Sequence, residues 1–154
     1  MPGLDHHHTE MARAAAAAMQ QHYQEAIDIV SELLTSGTYD EVATASADQA
    51  RSARAEARLM LATAMHYADG HYEDIVRQLA LAMESPPHIQ KDACFTLAVV
   101  ELSFGHKEPA RAAMQQCLDL IAQLKQSPLP YPDDTILRQE EEAQQFLADL
   151  GRPV

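Results

Sequence analysis

Apolar residues recur at helical spacing along most of the chain, in segments that Gly, Pro and Ser clusters interrupt. The pattern predicts seven helices. The first covers about 10–20 and the second about 23–35, with Ser36-Gly37 closing it as a C-cap. Residues 38–46 (TYDEVATAS) read as an insertion, a short loop or broken turn. Ser46 with Gln49 three residues on forms a capping-box signature for a long third helix, about 47–69, which Gly70 ends. The fourth, about 72–84, stops at Ser85-Pro86-Pro87, because proline lacks an N–H and disfavours helix in the residue before it. The fifth runs over about 87–104, closed by Gly105, and the sixth over about 107–126. Ser127-Pro128-Leu129-Pro130-Tyr131-Pro132 reads as an extended, proline-stiffened connector. Asp133 and Asp134 supply cap and dipole complement for a last helix over about 134–150, ended by Gly151 and Pro153. Residues 1–9 read as a disordered tail, native or left over from cloning.

Three stretches align without gaps: Gln21-His22-Tyr23-Gln24-Glu25-Ala26, Gly70-His71-Tyr72-Glu73-Asp74-Ile75 and Gly105-His106-Lys107-Glu108-Pro109-Ala110. Each follows an Ala-rich helical segment and opens a second apolar-periodic one. A helix, a tight turn at glycine, a second helix and a later proline make a layout that resembles the tetratricopeptide (TPR) repeat. Residues 56–87 carry the resemblance best, through Leu59, Ala62, Thr63, Gly70, Tyr72, Ile75, Leu79, Ala82 and Pro87. Residues 91–122 match at Leu97, Ala98, Gly105, Ala110, Met114 and Cys117, without the closing proline. Residues 7–38 match at Tyr23, Ala26, Val30 and Leu33. The resemblance implies an all-α, TPR-like right-handed superhelix in one domain over 10–150. Its three helix-turn-helix units would span about 10–35, 47–85 and 87–126, with 134–150 as the solvating cap such arrays need. An ordinary helical bundle with the same spacing is the other reading.

Composition supports the helical side of this picture. Of 154 residues 27 are alanine and only 12 are valine or isoleucine, and there is no tryptophan. Alanine is the best helix former, whereas sheets need β-branched and aromatic residues. The balance of 11 basic against 23 acidic residues speaks against nucleic acid as a partner, since a duplex is a dense row of phosphates. No apolar run approaches the ~20 residues that a membrane span needs. The N-terminus lacks a signal-peptide core, so a cytoplasmic location is the expectation. Cys94 and Cys117 are too few for a disulfide framework.

In the TPR family ligands lie against the first helices of successive repeats. The resemblance therefore implies a groove that presents Met11, Ala15 and Met19, then Met60, Ala64, Tyr67 and Ala68, then Phe95, Val99, Leu102 and Ser103. Members that grip a C-terminal carboxylate do so with lysine and asparagine. Met60, Ala64, Phe95 and Val99 occupy those places here, so that clamp is absent. An apolar groove with adaptable methionines in an acidic shell suits an amphipathic helix or apolar extended segment of a protein partner. The same side chains read equally as core, covered by the C-terminal helix or by a second copy of the chain. In size, charge and repeat number the chain resembles the chaperones of bacterial type III secretion, without a motif that matches residue by residue.

Little else in the sequence carries chemistry. His6, His7 and His8 near Glu10, or His66 and His71 about Gly70, are candidate metal ligands, but tail and turn roles account for them and no metal or cofactor is expected. His22, His71 and His106 share one turn position, either as helix-cap residues or as a pH-sensitive edge. Cys94 and Cys117 fall on packing positions, and Glu140, Glu141 and Glu142 make an acidic patch, a solvated face or a docking site for a basic partner. There is no Gly-rich phosphate loop, Gly-x-Ser-x-Gly or Cys-x-x-Cys, and no nucleophile, base and orienter can be assembled. The expectation is a non-enzymatic protein-interaction module, a small chaperone or adaptor. A homodimeric scaffold or regulatory protein, its apolar face closed by self-association, is the alternative.

Overall fold

The computed structural model describes residues 2–127 and 133–151, so the proline-stiffened stretch 128–132 and Pro153 lie outside the described residues. Among those described are eight helices and no strand, and the protein is all-α. The helices are α1 (Pro2–Met19), α2 (Tyr23–Thr35), α3 (Thr38–Ala45), α4 (Ala47–Tyr67), α5 (Tyr72–Ala82), α6 (Pro87–Ser103), α7 (Lys107–Lys125) and α8 (Asp134–Leu150). Their ends follow local chemistry. Ser46 accepts a hydrogen bond from the Gln49 amide at 3.2 Å, and Asp133 accepts one from the Ile136 amide at 3.0 Å. Each satisfies an amide that the first turn of a helix leaves without an intrahelical partner. Pro87 opens α6 at a position where the missing N–H costs nothing.

Two segments differ from expectation. Residues 2–9, expected as a tail, are the first turns of α1, and 38–46, expected as a loop or broken turn, hold α3. The reason is that they cover each other. Gly3 lies so close to α3 that a Cβ there would come within 2.8 Å of Val42 Cγ2. Four residues on, one turn along α1, His7 is 1% exposed and meets Tyr39 of α3.

The chain divides into two compact units, Met1–Ser85 and Pro86–Val154. In the first, α1 packs on α2, α2 on α4 and α4 on α5, while α3 lies on α4 and also meets α1. Its core holds Ala14, Val30, Leu33, Ala57 and Leu61. In the second, α6 packs on α7 and α7 on α8, about a core that includes Cys94, Ala98, Met114, Cys117 and Ile121. Lys91 of α6, buried, donates to Asp92 at 2.8 Å and to Gln139 of α8 at 2.7 Å. Gln139 donates back to Asp92 at 2.8 Å, so the three polar groups satisfy one another.

Three helix pairs, α1–α2, α4–α5 and α6–α7, close on one turn chemistry. Each first helix is followed by a residue in the left-handed region: Gln21 (φ 63°), Asp69 (φ 58°) and Gly105 (φ 83°). The next amide then donates five residues back, from His22 to Ala17 at 2.8 Å, Gly70 to Met65 at 2.7 Å and His106 to Glu101 at 2.8 Å. The left-handed residue itself donates three residues back, at 2.9, 3.2 and 2.9 Å. Together these bonds are the Schellman closure of a helix C-terminus. Gly70 is not the left-handed residue of its turn. It follows Asp69, and a Cβ there would sit 2.9 Å from the Met65 carbonyl oxygen. The gap-free alignment through Gln21, Gly70 and Gly105 therefore slips by one residue at the middle turn.

Candidate interaction surfaces

The groove residues expected from the repeat pattern fall on both units. In the first, Met11 and Met60 are half-buried and pack against the core cluster, and Ala15 is half-buried. Ala64 is 2% exposed and sits inside that cluster, so its methyl is core and not a surface for a partner. Met19 (86% exposed) and Tyr67 (59%) stand out into water. Both precede the left-handed residue of their turn by two positions. The Tyr67 ring stacks on Tyr23 of α2 at 5.4 Å between centroids and 20° between planes. In the second unit Phe95 is half-buried, whereas Val99 and Leu102 are exposed. Phe104, the C-cap of α6, is exposed as well and was not among the expected residues. Thus the exposed large apolar side chains Met19, Tyr67, Val99, Leu102 and Phe104 all lie in the last turns of a pair's first helix or at its cap, while Leu137 lies on α8.

A second cluster joins α1, α3 and α4. His7 Nδ1 lies 2.8 Å from Tyr39 Oη, and His7 Nε2 lies 3.2 Å from Glu56 Oε2. Burial raises the Tyr39 phenol above its ordinary pKa, and the Glu56 charge adds to this against the opposing pull of Arg54 and Arg58. Tyr39 therefore keeps its proton and donates to Nδ1, which leaves Nε2–H to donate to the carboxylate. A neutral imidazole satisfies the whole chain. Beside it lies a cavity of about 270 Å3, lined by Leu4, His7, His8, Asp48, Ser52 and Glu56 among others. His6 and His8 are exposed. Among the described residues no three His, Cys, Asp or Glu side chains group where they could hold a metal ion.

The other titratable groups have structural surroundings. His22, His71 and His106 stand at the N-caps of α2, α5 and α7, but none makes a side-chain capping bond. His106 Nδ1 instead lies 2.8 Å from the buried Glu101 carboxylate, and His22 lies 3.6 Å from Glu25. Burial pushes the Cys94 thiol up to about 11 and the Cys117 thiol to about 12, with Cys94 and Asp92 adding to the latter and Lys91 opposing. Such thiols carry almost no thiolate near neutrality and make poor nucleophiles. Glu140, in the acidic run of α8, pairs with Lys125 at 3.0 Å, while Glu141 and Glu142 are exposed.

No family model matches the chain, and no curated protein or solved structure matches it either. No helix among the described residues is long and apolar enough to cross a membrane.

Proposed function

We propose that this protein is a non-enzymatic interaction module of TPR-like helix pairs, a small acidic adaptor or chaperone that holds an apolar or amphipathic helix of a protein partner. The observation that carries the reading is where water meets large apolar side chains. Met19 and Tyr67 take the same place relative to their turns, and Val99, Leu102 and Phe104 cluster at the corresponding end of α6. Taking such a side chain from full exposure to full burial is worth about 1.5–3 kcal/mol, so a partner gains a part of that at each of them according to what it still exposes. The recurring Schellman closure supports the TPR-like part, since it gives three helix pairs the same exit from the first helix into the second.

A photo-crosslinking residue placed at Tyr67 or Leu102 in the source cell, followed by sequencing of the adducts, tests the proposal. One recurrent adduct, mapped to an amphipathic segment and lost in Met19→Glu or Leu102→Glu proteins of unchanged helicity, is the expected result. Adducts to the same chain alone would establish the homodimer instead, and no adduct at either position would remove both readings.

A further inference from the structure

Basic residues are scarce in the first unit, and three of its five stand on one face of α4. Arg51, Arg54 and Arg58 are spaced i, i+3 and i+7, in a stretch of chain that holds 13 Asp and Glu within residues 1–85. With Ala55, Leu81 and Glu84 they line a hollow of about 120 Å3. Like charges gathered this way repel unless something of opposite sign holds them. Arg51 reaches Asp48 at 2.9 Å and Arg54 lies 3.7 Å from Asp40, but both carboxylates are largely in water, where such pairs contribute little. Arg58 has no ion-pair partner among the described residues. Its hydrogen bond goes from Nη1 to Gln78 Oε1 at 3.2 Å, which leaves most of a five-donor fork for something else. Burial lowers its pKa and the Arg54 charge lowers it further, against Glu84. Arg54 is steadied from behind by the Tyr39 ring, 5.7 Å from guanidinium carbon to centroid.

We propose that this hollow is an oxyanion site, one that takes a phosphate group, either as inorganic phosphate or as the phosphomonoester end of a small molecule. Guanidinium forks match the oxygens of a tetrahedral phosphate in pairs. A phosphate brings about 1.5–2 negative charges at neutral pH where a carboxylate brings one, which suits three cations better. At about 120 Å3 the hollow has room for one such group. Glu84 is the built-in competitor, and the anion takes over its role toward Arg58. None of the residues that line it is among the apolar side chains that carry the proposed function.

The test is titration of the intact protein with inorganic phosphate and, separately, with phenyl phosphate. Chloride holds the ionic strength constant, and 31P line width and melting temperature are the readouts. Saturable binding is expected. It should weaken about tenfold or more in Arg58→Gln and strengthen about threefold or more in Glu84→Gln. Saturation by both probes assigns a phosphomonoester, and saturation by inorganic phosphate alone assigns the free ion. The proposal is overturned if the folded wild-type protein binds neither probe, or if folded Arg58→Gln binds as wild type does. Should Arg58→Gln fail to fold, Arg58→Lys keeps the charge and loses the fork. It is expected to bind about threefold more weakly or worse, and equal binding overturns the proposal too.

Discussion

Replacing His7 by alanine asks whether the first turns of α1 belong to the fold. His7 is 1% exposed and bridges Tyr39 and Glu56, residues 32 and 49 positions away along the chain. Three losses follow. The bond to the carboxylate is charge-assisted, but Glu56 is half in water and rehydrates, so about 1.5 kcal/mol is lost there, the low end for such bonds. Tyr39 Oη is left as a buried donor without its acceptor, at a cost of about 1–2 kcal/mol. The missing imidazole leaves a void beside an open cavity that water can fill, which holds the packing loss to about 1 kcal/mol. The expected total is about 3.5–4.5 kcal/mol, a large share of the ~5–15 kcal/mol that a domain has.

Urea unfolding followed by far-UV circular dichroism measures it, with Tyr39→Phe as the second arm. That variant keeps His7 and removes one bond, so it should cost about 1 kcal/mol. The double variant should cost less than the two singles together by about 0.5–3 kcal/mol, because the residues share a network. Limited trypsin cleavage at Arg13 should speed up in His7→Ala as α1 frays. A cost under about 0.5 kcal/mol for His7→Ala with no coupling to Tyr39 would refute the reasoning and return residues 2–9 to the status of a tail.

In the middle turn, Asp69→Gly should stabilise by about 0.5–1 kcal/mol, because Asp69 holds φ 58°, and Gly70→Ala should destabilise by about 1–3 kcal/mol, because a Cβ meets the Met65 carbonyl; melting temperatures of the two proteins check the opposite signs. For Cys94 and Cys117 the folded pKa lies above the unfolded value near 9, so the folded state holds more protons between them. Stability is therefore complete below about pH 8 and falls by up to about 1.4 kcal/mol per thiol per pH unit above about pH 9, a slope that Cys94→Ala, Cys117→Ala protein should lack in urea titrations up to about pH 10, where the raised Tyr39 phenol begins to add its own. Lys91→Ala should cost about 2 kcal/mol by leaving Asp92 and Gln139 without their shared donor, and Lys91→Met less, since it keeps the buried stem; thermal unfolding distinguishes them.

Helix ends were legible where their chemistry is local. Ser46 with Gln49 and Asp133 before Ile136 act within one turn, and α2 spans Tyr23–Thr35 as the pattern predicts. The start of α1 and the whole of α3 were not, because each is held by helices distant in sequence, α1 by α3 and α4 and α3 by α4 and α1. Neither segment shows a strong apolar face alone, and the pairs that hold them, Gly3 with Val42 and His7 with Tyr39, have no trace in a local window. Exposure at the expected groove positions was not legible, for a similar reason. A repeat position tells which face of a helix a residue occupies but not how far a neighbouring helix covers it, so Ala64 and Met19 look alike in sequence and end at opposite extremes of exposure. The arginines at 51, 54 and 58 share a helix face by their spacing, but that spacing does not show that Leu81 and Glu84 line a hollow with them.

The turns make the same point more sharply. Glycine serves two unlike needs, a left-handed backbone at Gly105 and closeness to a carbonyl at Gly70, and the letter does not distinguish them. Asp69 takes the left-handed place in the middle turn, as a short polar side chain tolerates, and Gln21 takes it in the first. What recurs in the three pairs is therefore a pattern of two backbone bonds and a dihedral angle, not a residue. An alignment of letters places two of these turns and misses the third by one position, because the turn is defined by atoms that every residue type carries.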